Sequence, residues 1–282
     1  MLRVALPNKG ALSEIASTMF KEAGYLQRRD SRELVLVDED NQVEFFYLRP
    51  RDIAVYVGRG ILDVGITGRD LYLDADVDDA VEEQLSLGIG KSTFRFAAPV
   101  GAFNDAQQLN GKRIATSYDV LLRHYLEKSG IEASIVRLDG AIESSVRLGV
   151  ADAIADVVET GNTIKAAGME IFGDPLLNSE AVMIGRVGHK PSGLDVLIRR
   201  LNGVLVARQY VMLDYDVRRE LADKACALTP GLESPTVSDL ANSEWVAVRA
   251  MVKKSQTNNI MDELYDVGAR AILVSQIHAC RI

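Results

Sequence analysis

The chain has 282 residues, a formal net charge of −8 and 48% hydrophobic residues. This length is typical of about two domains with a sizeable core, and the acidic balance argues against a general nucleic-acid binder. No apolar run approaches the roughly 20 residues that span a bilayer, and the opening MLRVALPNKG lacks the pattern of a signal peptide. Two cysteines and three histidines argue against a disulfide framework or a zinc site. We expect a cytoplasmic protein without a membrane or nucleic-acid partner.

Predicted strands and helices alternate through the first hundred residues, and basic side chains lie near the turns between them. Apolar spacing predicts strands at 2–6, 34–38, 43–48 and 62–67, and helices at 11–23 and 50–57. Because ligands of open α/β sheets bind at the carboxyl ends of strands, these turns are candidates for an anion site. The basic candidates are Lys9, Arg49, Arg51, Arg69, Lys91 and Arg95. A solvated side chain is an equal alternative for Lys9, and the acidic run at 74–83 predicts a solvated face or loop.

A second α/β pattern follows. It predicts strands at 94–99, 113–118, 134–138 and 151–158, and helices at 120–128 and 141–148. The sequence Gly90-Lys91-Ser92 resembles a phosphate-binding P-loop, but Leu85 stands where that motif needs its first glycine, so we discount it. A strand at 180–186 is predicted to return to the first lobe. One lobe interrupted by another, with a cleft between them, is the plan of bilobal solute-binding proteins.

The run RLGVADAIADVVETGNT, at 147–163, is the strongest candidate for a binding turn. An apolar strand at 151–158 is followed by a turn at 159–163, and a short helical pattern follows at 164–167. Backbone N–H groups converge on an anion at such a strand–turn–helix junction. Asp152 and Asp156 interrupt the strand four residues apart, so a regular strand places both on one face. Asp152 has an alternative, which is to pair with a neighbouring cation or to cap a turn.

The residues of this turn suit a phosphosugar. Gly161 permits close approach of the backbone, and the hydroxyls of Thr160 and Thr163 add donors. Asp156 lies just upstream, where a carboxylate would accept hydrogen bonds from sugar hydroxyls. The alternative, which spacing alone slightly favours, is an ordinary turn in which Asn162 or Thr163 is a helix N-cap.

The last seventy or so residues predict a different module. Strands at 209–215, 231–237, 245–252 and 271–277 and helices at 217–228 and 258–267 follow the βαββαβ order of a ferredoxin-like fold. The module has no obvious catalytic constellation, so a regulatory or assembly role is expected. We therefore predict an α/β catalytic region with lobe I at 1–91 and 180–206 and lobe II at 92–179, followed by a third domain at 207–282.

Several motifs together resemble one family, the ATP phosphoribosyltransferases. They are PNKGAL, DVGITGRDL at 63–71, FRFAAP, GKRIATSY and ADAIADVVETGNT, and the later YVMLDYDV and TPGLESPT resemble the long form of the family. The resemblance runs along the whole chain. It implies a Mg²⁺-dependent enzyme that joins N1 of the adenine of ATP to C1 of phosphoribosyl pyrophosphate in the first step of histidine biosynthesis. It also implies a bilobal periplasmic-binding-protein-like region, an ACT-like regulatory domain that binds histidine, and assembly as dimers and hexamers.

The resemblance also implies site residues. Ribose recognition falls on Asp156, and the 5-phosphate falls on Thr160, Gly161, Asn162 and Thr163. Lys9, Arg49 and Arg69 fall less securely near the nucleotide or the pyrophosphate, and Tyr118 borders the nucleotide site. The catalytic residues that the resemblance implies are Asp156, Lys9 and Arg69. The histidine contacts implied for the regulatory domain are Asp216, Leu232, Ser234, Thr236 and Ala271. From the residues alone, Asp216 fits a helix cap equally well, and the segment near Ser234 fits a simple loop.

Two other functions compete with this interpretation. Prephenate dehydratases also join a bilobal region to an ACT domain, and Thr93-Phe94-Arg95-Phe96 partly matches their Thr-Arg-Phe signature, although Phe94 interrupts it. Such an enzyme has no need of a phosphate turn at 160–163. A cytoplasmic solute-binding sensor of the same fold is the third hypothesis, and it would bind without turnover.

Overall fold

The computed structural model describes residues 1–77 and 79–281. The chain divides into two compact units, one formed by residues 1–18 and 26–194 and the other by residues 19–25 and the chain from 195 onward. Within the described ranges, no helix is long and apolar enough to cross a membrane. The predicted acidic run at 74–83 and the predicted domain at 207–282 each include one residue, Asp78 and Ile282, that lies outside those ranges.

The elements fall into three consecutive groups along the chain. The first group contains β1 (Leu2–Pro7), α1 (Ala11–Glu22), β2 (Val35–Asp38), β3 (Val43–Leu48), α2 (Pro50–Gly58), β4 (Val64–Gly68), α3 (Arg69–Leu73) and β5 (Val81–Ser86). The second contains β6 (Ser92–Pro99), β7 (Arg113–Thr116), α4 (Asp119–Ser129), β8 (Ser134–Arg137), α5 (Glu143–Arg147), β9 (Ala153–Val158), α6 (Asn162–Ala166) and β10 (Met169–Ser179). The third contains β11 (Ala181–Arg186), α7 (Leu194–Gln209), β12 (Tyr210–Arg218), α8 (Ala222–Leu228), β13 (Thr236–Asp239), β14 (Trp245–Lys253), α9 (Thr257–Val267) and β15 (Arg270–Gln276).

The first lobe is built on a six-stranded sheet in the order β2-β3-β1-β4-β11-β5. Its three central strands, β3, β1 and β4, are parallel to one another. The apolar runs that predicted β1 and β4 are buried nearly throughout, as expected for parallel strands covered on both faces. Side chains of α2, among them Ile53 and Val57, pack against these strands in one hydrophobic cluster. The carboxyl ends of three neighbouring strands therefore meet at one edge of the sheet.

The second lobe is built on a five-stranded sheet in the order β10-β6-β9-β7-β8. Strands β9, β7 and β8 are parallel, whereas β6 and β10 run antiparallel to their neighbours. Its core contains Phe94 and Phe96 of β6, and Phe96 stacks on Phe172 of β10 with 5.8 Å between the ring centroids. This sheet also brings the carboxyl ends of its parallel strands to one edge.

Two chain segments connect these lobes. The segment that leaves β5 and the segment that enters β11 run side by side, because the N–H of Ala181 donates to the carbonyl of Ile89 at 2.8 Å and the N–H of Leu87 donates to the carbonyl of Ala181 at 3.0 Å. Strand β11 then joins the first sheet between β4 and β5. One lobe thus interrupts the other, and the predicted bilobal periplasmic-binding-protein-like architecture is confirmed.

The second compact unit contains a four-stranded antiparallel sheet in the order β13-β14-β12-β15. With α8 and α9 between the strands in sequence, this is the predicted ferredoxin-like βαββαβ arrangement. Alternate residues of β12, including Val211, Leu213 and Tyr215, are buried in a cluster with residues of both helices. The intervening residues, such as Asp214 and Asp216, lie on the opposite and less buried face.

Several predicted boundaries are wrong. Strands β5 and β10 were not predicted, β12 continues to Arg218 before α8 begins, and most of the strand predicted at 231–237 is loop. Helix α7 is longer than the helix at 194–202 that apolar spacing predicts, because it continues through Gly203. A Cβ at this glycine would collide with the carbonyl oxygen of Cys280, so the glycine permits close packing inside a helix and does not end it.

Candidate functional site

Three of the predicted cations share one edge of the first sheet. Lys9 follows β1, Arg49 follows β3 and Arg69 follows β4, and these three strands are parallel neighbours. The turns after them are therefore adjacent in space. Lys9 and Arg49 are exposed there, whereas Arg69 is half-buried.

The carboxyl ends of the parallel strands of the second sheet carry the predicted phosphosugar turn together with Tyr118 and Glu143. Tyr118 follows β7, Thr160 follows β9, and the loop after β8 leads to Glu143 at the start of α5. Strands β9, β7 and β8 are parallel neighbours, so these three segments also lie together.

A cavity of about 290 Å³ lies at the end of β9. Gly161 has a positive φ of 73° and precedes α6, whose first turn follows directly. Asn162, the fourth residue of the predicted phosphate group, is exposed and is not among the residues that line the cavity. The lining consists of Glu143, Asp156, Val157, Val158, Glu159, Thr160, Gly161, Thr163 and Ile164.

Asp156 has an unusual environment in this cavity. Burial is the largest influence on its carboxyl group and raises its pKa to about 6, with further increases from the charges of Glu143 and Asp70. The backbone N–H of Val157 donates to its Oδ1 at 2.8 Å and opposes this increase. A carboxylate so placed is ready to accept hydrogen bonds from a polar ligand.

The cation predicted to meet pyrophosphate, Arg69, is occupied by carboxylates. Its guanidinium donates to Glu83 through Nε at 3.0 Å and Nη2 at 2.8 Å, and Nη2 also donates to Glu180 at 3.2 Å. The hydrogen bond with Glu83 is the main reason that the pKa of Arg69 is raised. A second cavity, of about 440 Å³, is lined by Arg69 and Lys91 and shares Val158 and Glu159 with the first cavity.

Tyr118 is held from both lobes. Its ring packs against Phe94 of its own lobe, with 5.5 Å between centroids, and the Arg51 guanidinium of the first lobe lies 4.9 Å above the ring. Burial, together with the charge of Asp70 and a hydrogen bond to it, raises the pKa of Tyr118 well above its usual range. The phenol therefore stays neutral across the physiological range. In the sequence, Asp70 stands at a predicted helix start and fits an N-cap, and nothing local connects it with Tyr118.

The remaining charged candidates separate into two groups. Arg51 is paired with Asp74 at 2.6 Å, Arg95 donates to the carbonyl of Gly173 at 2.7 Å, and the Arg113 side chain pairs with Asp152 at 2.9 Å. Asp152 therefore takes the alternative role of pairing with a cation. In the part of the chain that the structure describes, no ion pair within 4 Å involves Lys9, Arg49 or Lys91, although the charge of Lys91 acts on Glu180. All three cations are exposed.

The acidic residues of the first cavity do not form a metal cage. Among residues 1–77 and 79–281, no group of three or more His, Cys, Asp or Glu side chains is arranged to hold a metal ion. Magnesium usually keeps several waters and binds through one or two carboxylates plus substrate phosphates. The pair formed by Glu143 and Asp156 fits an ion that arrives on a diphosphate.

A separate cavity of about 600 Å³ lies on the less buried face of the C-terminal sheet. It brings together Asp216, Thr236 and Ala271, three of the five residues implied for histidine binding. Ala271 has a positive φ of 50°, beside a register shift between β12 and β15. Leu232 and Ser234 are exposed in the loop before β13 and do not line this cavity.

Comparison with known proteins assigns the family. The sequence profile described as ATP phosphoribosyltransferase matches residues 49–203, and the profile described as the HisG C-terminal domain matches residues 207–279. The chain belongs to the ATP phosphoribosyltransferase family. Proteins named ATP phosphoribosyltransferase from Pseudarthrobacter chlorophenolicus, an Arthrobacter species and Micrococcus luteus are 74%, 71% and 66% identical to it, each over 100% of both chains.

A solved structure supports the same assignment. The ATP phosphoribosyl transferase (HisG:HisZ) complex from Thermotoga maritima superimposes with a TM-score of 0.62 and 27% sequence identity. The superposition covers 73% of this chain and 98% of that chain. Membership of the phosphoribosyltransferase family decides against the prephenate dehydratase and solute-sensor alternatives.

Proposed function

We propose that this protein is an ATP phosphoribosyltransferase that catalyses the first step of histidine biosynthesis. N1 of the adenine of ATP attacks C1 of phosphoribosyl pyrophosphate, the bond from C1 to the pyrophosphate oxygen breaks, and the products are phosphoribosyl-ATP and pyrophosphate. The observation that carries this proposal is the cavity at the end of β9, where a left-handed glycine and two threonines lie beside Asp156, with Glu143 and Glu159 also in the lining. That donor and acceptor set fits a ribose 5-phosphate.

The substrates are assigned to neighbouring parts of the cleft. Thr160, Gly161 and Thr163 would bind the 5-phosphate, with Asn162 contributing through its backbone N–H, and Asp156 would accept from the ribose hydroxyls. The nucleotide would lie toward the edge of the first sheet. There Lys9 and Arg49 follow parallel strands, and Tyr118 reaches that edge from the opposite lobe.

The chemistry demands charge stabilisation more than base catalysis. Loss of pyrophosphate leaves positive charge on the ribosyl carbon while negative charge builds on the leaving group, and fixed charges aimed at both stabilise the transition state. Adenine N1 attacks as a neutral nitrogen, so no strong base is required at that atom. Holding two anionic substrates in line contributes much of the rate. Lys9, which forms no ion pair among the described residues, suits the leaving group better than Arg69 does in its paired state, and Lys91 lies in the same cavity as Arg69 with its charge acting on Glu180.

Magnesium is proposed as the metal. When bound to the diphosphate, it neutralises the charge that develops on the leaving group. Glu143 is the residue best placed to face such an ion from the chain, because its carboxylate lines the phosphosugar cavity. The other ligands would be phosphate oxygens and water.

Regulation and assembly complete the proposal. Lobe I at 1–91 and 180–206 and lobe II at 92–179 would form the catalytic region, and the domain at 207–282 would bind histidine as a feedback inhibitor. In the C-terminal cavity, Asp216 would accept from the α-amino group, while Thr236 would donate to the carboxylate. Leu232, Ser234 and Ala271 remain assigned to the same ligand. The protein would act in the cytoplasm as a dimer or a hexamer.

A two-substrate assay tests the proposed reaction. With Mg²⁺ present, the purified chain should release pyrophosphate only when ATP and phosphoribosyl pyrophosphate are supplied together, and histidine should reduce that rate. Omission of either substrate, and replacement of Mg²⁺ by a chelator, are the controls. Binding of both substrates without pyrophosphate release would reject the reaction, and a histidine-insensitive rate would reject the regulatory part alone.

A further inference from the structure

The carboxylate of Asp74 caps a helix of the opposite lobe. Asp74 follows α3 in the first lobe, and its Oδ1 accepts the backbone N–H groups of Val120 and Leu121, each at 3.1 Å. Both belong to the first turn of α4 in the second lobe, where N–H groups have no partner within the helix. Tyr118, the residue that precedes α4, supplies no side-chain cap of its own. The helix therefore depends on the other lobe for this cap.

The same carboxylate holds an arginine against the ring of Tyr118. Its Oδ2 accepts from Nη1 of Arg51 at 2.6 Å, and that guanidinium lies over the tyrosine ring. The side chain of Asp74 is only 2% exposed. A buried carboxylate is costly unless it is fully paired, so loss of any of these partners leaves a penalty.

Asp70, one helical turn before Asp74, is the second carboxylate of the first lobe that acts on Tyr118. Residues four apart lie on one face of a helix, so Asp70 in α3 and Asp74 at its C-cap face the second lobe together. Asp70 is itself fixed by Ser179, whose hydroxyl donates to Oδ1 at 2.5 Å and accepts the Asp70 backbone N–H at 3.0 Å. The ring face of Tyr118 is thus covered by Arg51 of the first lobe, and Asp70 of the same lobe acts on its hydroxyl and raises its pKa.

We propose that Asp74 is an interlobe positioning residue for the nucleotide: by capping α4 and holding Arg51 on the ring, it fixes Tyr118 at the cleft. The proposal rests on the proposed function, which assigns Tyr118 to the ATP site. The cap exists only when the edges of the two lobes are together. Placement of the tyrosine and approach of the lobes are therefore one event, and Asp74 touches no substrate in performing it.

The test compares Asp74→Ala with Asp74→Asn in the full chain. We expect Asp74→Ala to weaken ATP binding by about 3- to 30-fold in calorimetry, the range expected from loss of a helix cap, while the KM for phosphoribosyl pyrophosphate changes less. Asparagine keeps an acceptor for the two N–H groups but presents an NH2 group to Arg51 in place of Oδ2, so Asp74→Asn should recover only part of the affinity. If the alanine variant does not fold, Asp74→Glu keeps the charge but displaces the acceptor, and it should weaken ATP in its place.

The matched control is Asp105→Ala. Asp105 caps a short 3₁₀ turn at 106–109 within the second lobe, through the N–H of Gln107 at 2.7 Å, and it should cost stability without changing ATP affinity. Amide exchange at Val120 and Leu121 should accelerate in Asp74→Ala. Unchanged ATP affinity or unchanged exchange at these amides overturns the positioning role. A wild-type chain that binds ATP without releasing pyrophosphate overturns the proposed reaction alone, whereas one that does not bind ATP overturns both.

Discussion

At the scale of single residues, Asp156 combines a binding role with an unfavourable charge. Its pKa is raised to about 6 by burial, and next by the nearby carboxylates of Glu143 and Asp70, although the N–H of Val157 opposes this. An unfolded aspartate ionises near pH 4, so the folded protein retains an extra proton between about pH 4 and pH 6. The contribution of this group to the free energy of unfolding is therefore largest at low pH and falls as pH rises through that window. Sugar hydroxyls that donate to the carboxylate would favour its ionised form.

The pH dependence of phosphoribosyl pyrophosphate use should report this carboxyl group. We expect kcat/KM for that substrate to rise between about pH 5 and pH 7 with an inflection near 6, because the ionised carboxylate is the better acceptor. Asp156→Asn should be less active and should lose this inflection, while its free energy of unfolding should not decline across the same window. Steady-state kinetics and urea titration at several pH values measure both effects. An Asp156→Asn profile parallel to the wild-type profile would assign the titration to another group, such as the substrate phosphate.

Sequence reasoning could identify the site residues whose signal is local, and it missed those that depend on distant contacts. The sequence predicts the phosphate turn at 159–163 because the strand, the glycine and the hydroxyl residues are consecutive. Glu143 enters the same cavity from a different loop, and the partners of Arg69 come from strands that were not predicted or whose pairing was unknown. The sequence predicts that Asp74 belongs to a solvated acidic run. In the structure it is buried, and its charge is paired with Arg51 and with the N-terminus of α4.

At the scale of elements, the turn between β9 and α6 depends on backbone conformation. Gly161 has a φ of 73°, and a Cβ there would lie 3.4 Å from Cδ1 of Ile171, at the wall of the cavity. Gly168 follows the other end of the same short helix with a φ of 75°, and a Cβ there would meet no atom within 4 Å. The two glycines carry the same backbone demand, but only Gly161 lines the cavity.

Alanine at these two positions should separate strain from binding. Left-handed backbone costs a non-glycine residue roughly 1–2 kcal/mol, so Gly161→Ala and Gly168→Ala should lower stability by similar amounts. We expect only Gly161→Ala to raise the KM for phosphoribosyl pyrophosphate, by about tenfold or more, with a smaller change for ATP, because one displaced charge-assisted bond is worth about 1.5–3 kcal/mol. Thermal unfolding and substrate-saturation kinetics measure the two effects. Equal losses of substrate affinity in both variants would contradict the phosphate turn.

Most elements followed from hydrophobic periodicity, and the exceptions have physical causes. Strand β5 was missed because it is an edge strand with mostly charged and polar residues, paired only with β11 among the described strands. Strand β10 contains Gly173 and Pro175 and makes a register shift against β6, which breaks the alternation that marks a strand. Gly203 lies inside helix α7 because close packing against the backbone of Cys280 leaves no room for a Cβ, so here a glycine does not mark the end of a helix. Edge position, bulges and close packing are properties of the assembled sheet and not of the local sequence.

At the scale of the whole molecule, the compact unit that contains the C-terminal sheet includes residues outside the predicted domain at 207–282. The compact unit that contains the C-terminal sheet also contains residues 19–25 and α7, where the Arg208 guanidinium pairs with Glu22 at 2.8 Å. A truncation near Val206 would cut α7 before its end at Gln209 and remove packing from this unit. Substitutions in the intact chain are therefore the better test of the histidine site.

Histidine sensitivity should be lost by changing Asp216. This residue lies on the less buried face of β12 and lines the C-terminal cavity, where it would accept from the α-amino group of histidine. A charge-assisted hydrogen bond of about 1.5–3 kcal/mol predicts that Asp216→Ala needs at least tenfold more histidine for half-inhibition, with the uninhibited rate unchanged. Asp239→Ala is the matched control, because Asp239 pairs with Arg219 outside that cavity and should keep wild-type sensitivity. If Asp216→Ala is inhibited at the wild-type histidine concentration, the inhibitor binds elsewhere on the chain.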